Sequence, residues 1–141
     1  MKLVDANVLL YAANESDPRH EVARSWLDSA LSGSEPVGFA WIVLLAYLRL
    51  STKVGIFPEP IAVDEAITDL RTWTSPVIAV RIDPSPRHLD LLAGLLAETG
   101  SGGNLVNDAH LAALALEHDA TVVTFDNDFS RFSGVRWETP G

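Results

Sequence analysis

The sequence predicts an α/β fold: helices sandwiching a mostly parallel sheet of about four to five short strands. Three observations carry that expectation. Short apolar runs of the buried-strand kind recur along the chain, and segments with helical spacing separate them. The third is size and composition: 141 residues, 48% of them hydrophobic, suit one domain with a core of its own.

In order, Lys2–Asp5 reads as a strand buried at Leu3 and Val4, handing over at Asp5-Ala6-Asn7 to a helical turn, Val8–Ala13. A loop closed by Asp17-Pro18 leads to an amphipathic helix over His20–Leu31, with Val22, Ala23, Trp26, Leu27, Ala30 and Leu31 at helical spacing. Gly33–Pro36 breaks it, and Val37–Phe39 is a short strand. Trp41–Val54 is apolar on nearly every side as far as Arg49 and Lys53, the pattern of a buried helix. Beyond Pro58 and Pro60 come a helix over Val63–Trp73, a β-run over Val77–Arg81 and a helix over Arg87–Glu98 that ends at Gly100–Gly103. Asn104 is a suitable N-cap for a helix over Leu105–His118. Thr121–Phe125 is a strand, Asp126–Phe132 a turn or short helix, and Val135–Trp137 an edge strand. Alternation of this kind gives two helical layers on a parallel sheet. No repeat, low-complexity tract or dividing linker interrupts it, so residues 1–141 read as a single domain.

Composition excludes several classes. Without cysteine there is no disulfide, thiolate metal site or cysteine nucleophile. The longest apolar run, Phe39–Leu48, falls well short of the ~20 residues of a membrane span. Asp5 lies where a signal peptide would be building its apolar segment, so the expected location is the cytoplasm, with no membrane partner. Ten Lys and Arg against nineteen Asp and Glu give a net charge of −9, which argues against nucleic-acid binding by field alone. It leaves room for an enzyme that meets phosphates through divalent cations, and for a basic partner segment.

The acids carry the chemistry. Ligands of open parallel sheets bind beyond the carboxyl ends of the strands, where Asp5 and Asp126 fall. Asp108 lies in the first turns of the Leu105–His118 helix, where the macrodipole favours a carboxylate. Carboxylates converging from three elements would repel one another, and Mg²⁺ or Mn²⁺ relieves that with the oxygen ligands such ions prefer. A water activated there attacks phosphorus in line, so the arrangement points to a phosphodiester hydrolase. Each acid also has a plainer role: Asp5 as an N-cap, Asp126-Asn127 as a turn, Asp108 as a helix-dipole partner.

Three segments stand out: Leu3-Val4-Asp5-Ala6-Asn7-Val8-Leu9-Leu10, Asn104-Leu105-Val106-Asn107-Asp108-Ala109-His110-Leu111-Ala112-Ala113-Leu114-Ala115 and Thr121-Val122-Val123-Thr124-Phe125-Asp126-Asn127-Asp128-Phe129. They resemble the motifs of the PIN-domain family, the metal-dependent ribonuclease fold. Their order and the nearly full-length match resemble VapC-type toxins, the ribonuclease half of a toxin–antitoxin pair. The resemblance implies a PIN-like α/β/α sandwich with Asp5, Asp108 and Asp126 as ligands of Mg²⁺ or Mn²⁺ and Asp128 as a further or outer ligand. It implies that Asn7 and Thr124 orient those carboxylates. It further implies RNA cleaved to 5′-phosphate and 3′-hydroxyl ends, a homodimer, and an antitoxin that inserts a basic segment into the acidic pocket.

One departure stands out. The family commonly carries a Glu three residues before an Arg on the third helix; here Arg49 is preceded at that position by Ala46. A weaker second metal, substitution by Asp128, or a pocket that binds without cutting would each follow. Arg49 ends an apolar helix face and is expected to reach towards the acids, touching RNA or lining the pocket. Arg19 and Arg24 read as surface ion pairs. The four histidines show no spacing that suggests convergence, and the tryptophans read as core or interface anchors. An aspartyl-phosphate protein is a further alternative. It is weakened because Asn7 stands where a dehalogenase-like phosphatase wants Asp, and because no Lys follows Lys53 for a receiver.

Overall fold

The computed structural model describes residues 1–141. In chain order the elements are β1 (Lys2–Val4), α1 (Ala6–Ala13), α2 (His20–Leu31), β2 (Val37–Ala40), α3 (Trp41–Ser51), α4 (Val63–Thr74), β3 (Ala79–Ile82), α5 (His88–Thr99), α6 (Val106–Glu117), β4 (Thr121–Val123) and β5 (Trp137–Glu138). Short 3₁₀ turns at Gly103–Leu105 and Asn127–Arg131 precede α6 and follow β4.

All five strands are parallel, in the order β3-β2-β1-β4-β5. The chain therefore builds outwards from β1 through β2 to β3, then returns to the other flank of β1 for β4 and β5. That reversal makes the β1/β4 boundary the switch point, where the loops leaving the two carboxyl ends part and open a crevice. The register pairs Leu3 with Val122 and Val4 with Val123, so Asp5 and Thr124 leave the sheet side by side. Parallel strands covered on both faces need apolar side chains throughout; Leu3, Val4, Val37, Phe39, Val122 and Val123 are all buried. Helices α1 to α4 pack on one another as one set and α5 on α6 as another.

Packing also fixes the loop after β4. Phe129 and Phe132, both buried, meet edge to face with centroids 5.9 Å apart and pin the 3₁₀ turn that begins just after Asp126. Each contributes roughly 1.5–3 kcal/mol of burial, more than the turn's few hydrogen bonds could supply.

Several sequence expectations are corrected. Asn104 does not cap α6: with Gly103 at φ +58° the chain closes a 3₁₀ turn over Gly103–Leu105, and the helix starts at Val106 with no side-chain cap. The β-run at Val77 begins only at Ala79, leaving Val77 fully exposed. Helix α3 ends at Ser51 rather than Val54. Of the two roles expected of its Trp41, core or interface anchor, the core one is excluded: Trp41 is 52% exposed and forms an apolar stripe with Leu45, which is 57% exposed. Trp73 does anchor, edge-on to buried Tyr47 with centroids 4.9 Å apart.

Candidate metal centre and active site

At the switch point one polar knot ties the two strand exits together. Asp5 caps α1, its Oδ1 accepting from the Ala6 amide at 2.7 Å. Its Oδ2 accepts from Thr124 Oγ1 at 2.8 Å and from Asn7 Nδ2 at 3.4 Å. Thr124, fully buried, accepts in turn from Asn7 Nδ2 at 3.1 Å and from the Asp126 amide at 2.9 Å. Asn7 Oδ1 accepts from the Phe125 amide at 3.1 Å. Asn7 and Thr124 thus tie the Asp5 carboxylate to the backbone amides of Phe125 and Asp126 through bonds that use nearly all their donors and acceptors.

Asp126 starts the following turn, its Oδ1 accepting from the Asp128 amide at 2.8 Å. Asp108 approaches from the first turn of α6. One carboxylate oxygen each of Asp108, Asp126 and Asp128 lies within 4.8 Å of the other two. Asp5 stands outside that trio because its oxygens turn to Ala6 and Thr124, yet it shares a small cleft of about 80 Å³ with Asp108. The plainer capping roles of Asp5 and Asp126 hold as well. A carboxylate can cap a backbone amide with one oxygen and keep lone pairs for something else.

The charges in this cleft are not balanced. No ion pair joins any of the four acids to a cation. Burial pushes Asp5 above its ordinary range, opposed in part by the Thr124 and Ala6 bonds, and the charge of Asp126 pushes it further. Asp108 is pushed up to about 7, by burial first and then by the charges of Asp126, Asp5 and Asp128. Holding a proton there is how the chain alone relieves the repulsion; a divalent cation would relieve it better. The donors are all hard oxygens and leave coordination positions open, which fits Mg²⁺ or Mn²⁺.

Arg49 is exposed and lines a larger groove of about 440 Å³ with Ile42, Leu45, Leu48, Thr52 and Asn107, in contact with none of the acids. Ala46, Ile42 and Asn107 border both this groove and the acid cleft. The position occupied by Ala46 therefore does face the acids, and its methyl group leaves the two spaces adjoining. Asn107 was not singled out by the sequence reading, although it directly precedes Asp108 at the start of a helix. Arg19 and Arg24 form the ion pairs expected of them, with Asp17 and Asp28.

The histidine expectation is corrected. His88 Nε2 and His110 Nδ1 meet at 2.8 Å between α5 and α6, and His88 Nδ1 bonds the Glu117 carboxylate. The convergence needs the docking of two helices, which no spacing encodes. His110 and Glu117, seven apart on one helix face, were its only trace. None of the four acids is among these histidines' hydrogen-bond partners.

Comparison with known proteins shows the family. The PIN domain pattern matches residues 2–135. The chain belongs to the PIN-domain family. This PIN domain is 56% identical to Ribonuclease VapC37 of Mycobacterium tuberculosis over 140 residues, 99% of this chain and 97% of that protein. It is 39% identical to Ribonuclease VapC31 of the same species over 99% of both chains. Among solved structures, VapBC2 from Rickettsia felis, bound to a DNA fragment from its promoter, superposes with a TM-score of 0.73 at 21% identity, covering 99% of this chain and 98% of that one. VapC20 of Mycobacterium tuberculosis, a Sarcin-Ricin loop cleaving toxin, superposes with a TM-score of 0.70 at 18% identity, covering 96% and 99%. At those identities the superpositions establish the PIN fold.

Proposed function

We propose that residues 1–141 form one PIN-like domain that acts as the ribonuclease toxin of a toxin–antitoxin pair, a divalent-metal-dependent endoribonuclease. The observation that carries the chemistry is the unbalanced trio of Asp108, Asp126 and Asp128 beside Asp5, at the sheet's switch point. The full-length similarity to ribonucleases named VapC carries the substrate class.

In this reading Asp5, Asp108 and Asp126 hold Mg²⁺ or Mn²⁺, with Asp128, the most exposed of the four, as a further or outer ligand. When bound, the ion supplies charge neutralisation and an activated water for phosphodiester hydrolysis, giving 5′-phosphate and 3′-hydroxyl ends. The chain's own residues do the rest. Thr124 and Asn7 hold the Asp5 carboxylate, Thr124 also holds the Asp126 backbone amide, and the capped starts of α1 and of the turn after Asp126 keep both acids from swinging away. Asp108, which burial and the neighbouring acids push towards its protonated form, would be a ligand in its ionised form. Arg49, unpaired in the adjoining groove, contacts RNA or the partner. That partner is an antitoxin with a basic segment, which the acidic cleft attracts. The exposed Trp41–Leu45 stripe is the face of a homodimer. No helix is long and apolar enough to cross a membrane, in keeping with action on cytoplasmic RNA.

One observation favours a second reading. With Ala46 in place of an acid, the cleft holds one carboxylate fewer than the family pattern, and a pocket that binds metal and partner without cutting would have that composition. Mapping new RNA 5′ ends across all cellular RNA after induction, beside Asp5→Asn, separates the two. Monophosphate ends at a defined site with wild type alone are the expected result. No new ends, with both proteins soluble and equally abundant, would leave the binding module.

A further inference from the structure

We propose that Arg19, set on the face of Tyr11, is a stacking platform for one base of the single-stranded RNA cut by this protein; the inference rests on the ribonuclease reading above. The Arg19 guanidinium carbon lies 3.7 Å from the centroid of the Tyr11 ring, well inside the ~6 Å range of a cation–π contact. Asp17 grips the same group at two points, Nε donating to Oδ1 at 2.9 Å and Nη2 to Oδ2 at 3.0 Å. An arginine on an open surface sweeps many rotamers. This one is fixed from below by a ring and from its edge by a carboxylate, while its side chain stays 48% exposed.

The platform is wired to the acid centre. Tyr11 meets Phe125 edge to face, with centroids 5.2 Å apart. Phe125 is the residue before Asp126, and its amide is held by the Asn7 side chain that also steadies Asp5. Two ring contacts thus join Arg19 to the segment that carries Asp126, and in the proposed arrangement an RNA strand with its phosphate at the carboxylates extends as far as that flat group.

The chemistry favours a base over a phosphate. Asp17 neutralises the Arg19 charge, and the protein as a whole is strongly acidic, so attraction of a phosphate by field is largely spent. What remains is a planar, weakly hydrated π face, the surface on which unpaired RNA bases stack.

The test is steady-state cleavage of a labelled RNA oligonucleotide carrying the site found by end mapping, with wild type, Arg19→Ala and Arg19→Lys. Both variants are expected to raise KM about tenfold with kcat nearly unchanged, because Lys keeps the charge and loses the plane. Scanning that oligonucleotide with single abasic positions should find one that weakens wild type by a similar factor and Arg19→Lys no further. Arg19 is exposed, so unfolding temperatures should match. Arg19→Lys behaving as wild type would make the group a mere charge and overturn the platform. So would cleavage unchanged in both variants, or variants that lose only inhibition by the antitoxin, which would assign Arg19 to a protein contact. Absence of cleavage by wild type would instead overturn the ribonuclease reading, and the platform with it.

Discussion

Two polar clusters sit in this small fold, and they are built on opposite principles. Between α5 and α6, Glu117, His88 and His110 form one hydrogen-bonded row, and the Ser85 amide donates to the second Glu117 oxygen at 2.5 Å. Each group there has a partner inside the chain. At the strand exits, Asp5, Asp108, Asp126 and Asp128 are drawn together with no cation among them. The first cluster is complete as folded, and its role is to lock two helices. The second has no positive partner inside the chain, and that deficit is what marks it as the candidate site.

The largest expected effect breaks the second cluster. Asp5→Asn or Asp126→Asn should lower kcat/KM for RNA by at least ~100-fold, about 2.7 kcal/mol of transition-state stabilisation, while circular dichroism stays that of wild type. In the first cluster the outcome reverses. His88→Ala leaves Glu117 buried without its partner and should cost ~1–3 kcal/mol in urea unfolding, with kcat for RNA unchanged.

The clusters also respond to pH with opposite signs. Asp108 binds its proton up to about 7 in the fold against an ordinary 3.8. The native state is then the more protonated one in between, and stability falls as pH rises through that window and stays lost above it. Glu117 is held below its ordinary 4.5 by its bonds to Ser85 and His88, against the opposing pull of burial, and burial and the neighbouring His88 hold His110 below 6.5. For these two the unfolded state takes up protons first, so their stabilisation is present near neutral pH. That of His110 is lost as pH falls below about 6.5, and that of Glu117 as it falls below about 4.5. Metal-free protein should therefore lose a few degrees of unfolding temperature between pH 5 and pH 8, and Asp108→Asn should remove that loss. Glu117→Gln should flatten the acid side only. The smallest effect sharpens the comparison at its edge. Ala46→Glu adds a carboxylate to the cleft and should tighten Mn²⁺ binding a few-fold, read by calorimetry, while lowering the stability of the metal-free protein.

Much of this was legible in the sequence, because parallel strands buried on both faces and helices with one apolar face leave strong patterns. Asp5, Asp108 and Asp126 could be placed together since each follows or opens an element whose end could be read, whereas Asn7 and Thr124 joined them only through the family resemblance. Strand order could not be read, and with it went the reason Asp5 and Asp126 face each other: β1 and β4 are neighbours only because the chain reverses direction across the sheet. Asn104 was misplaced because a good capping residue was overruled by a glycine free to take positive φ one residue earlier. The His88–His110 contact and the Arg19–Tyr11–Phe125 array each join separate elements, and such pairings exist only once the elements dock.

The most direct test of the missing positive charge is calorimetric titration of Mn²⁺ into wild type and Asp126→Asn at pH 7, in two buffers of different ionisation enthalpy. Saturable binding to wild type with release of a proton, sharply weakened in Asp126→Asn, is the expected result. Equal binding by both proteins, or none by wild type, would contradict the assignment of these four acids to a cation.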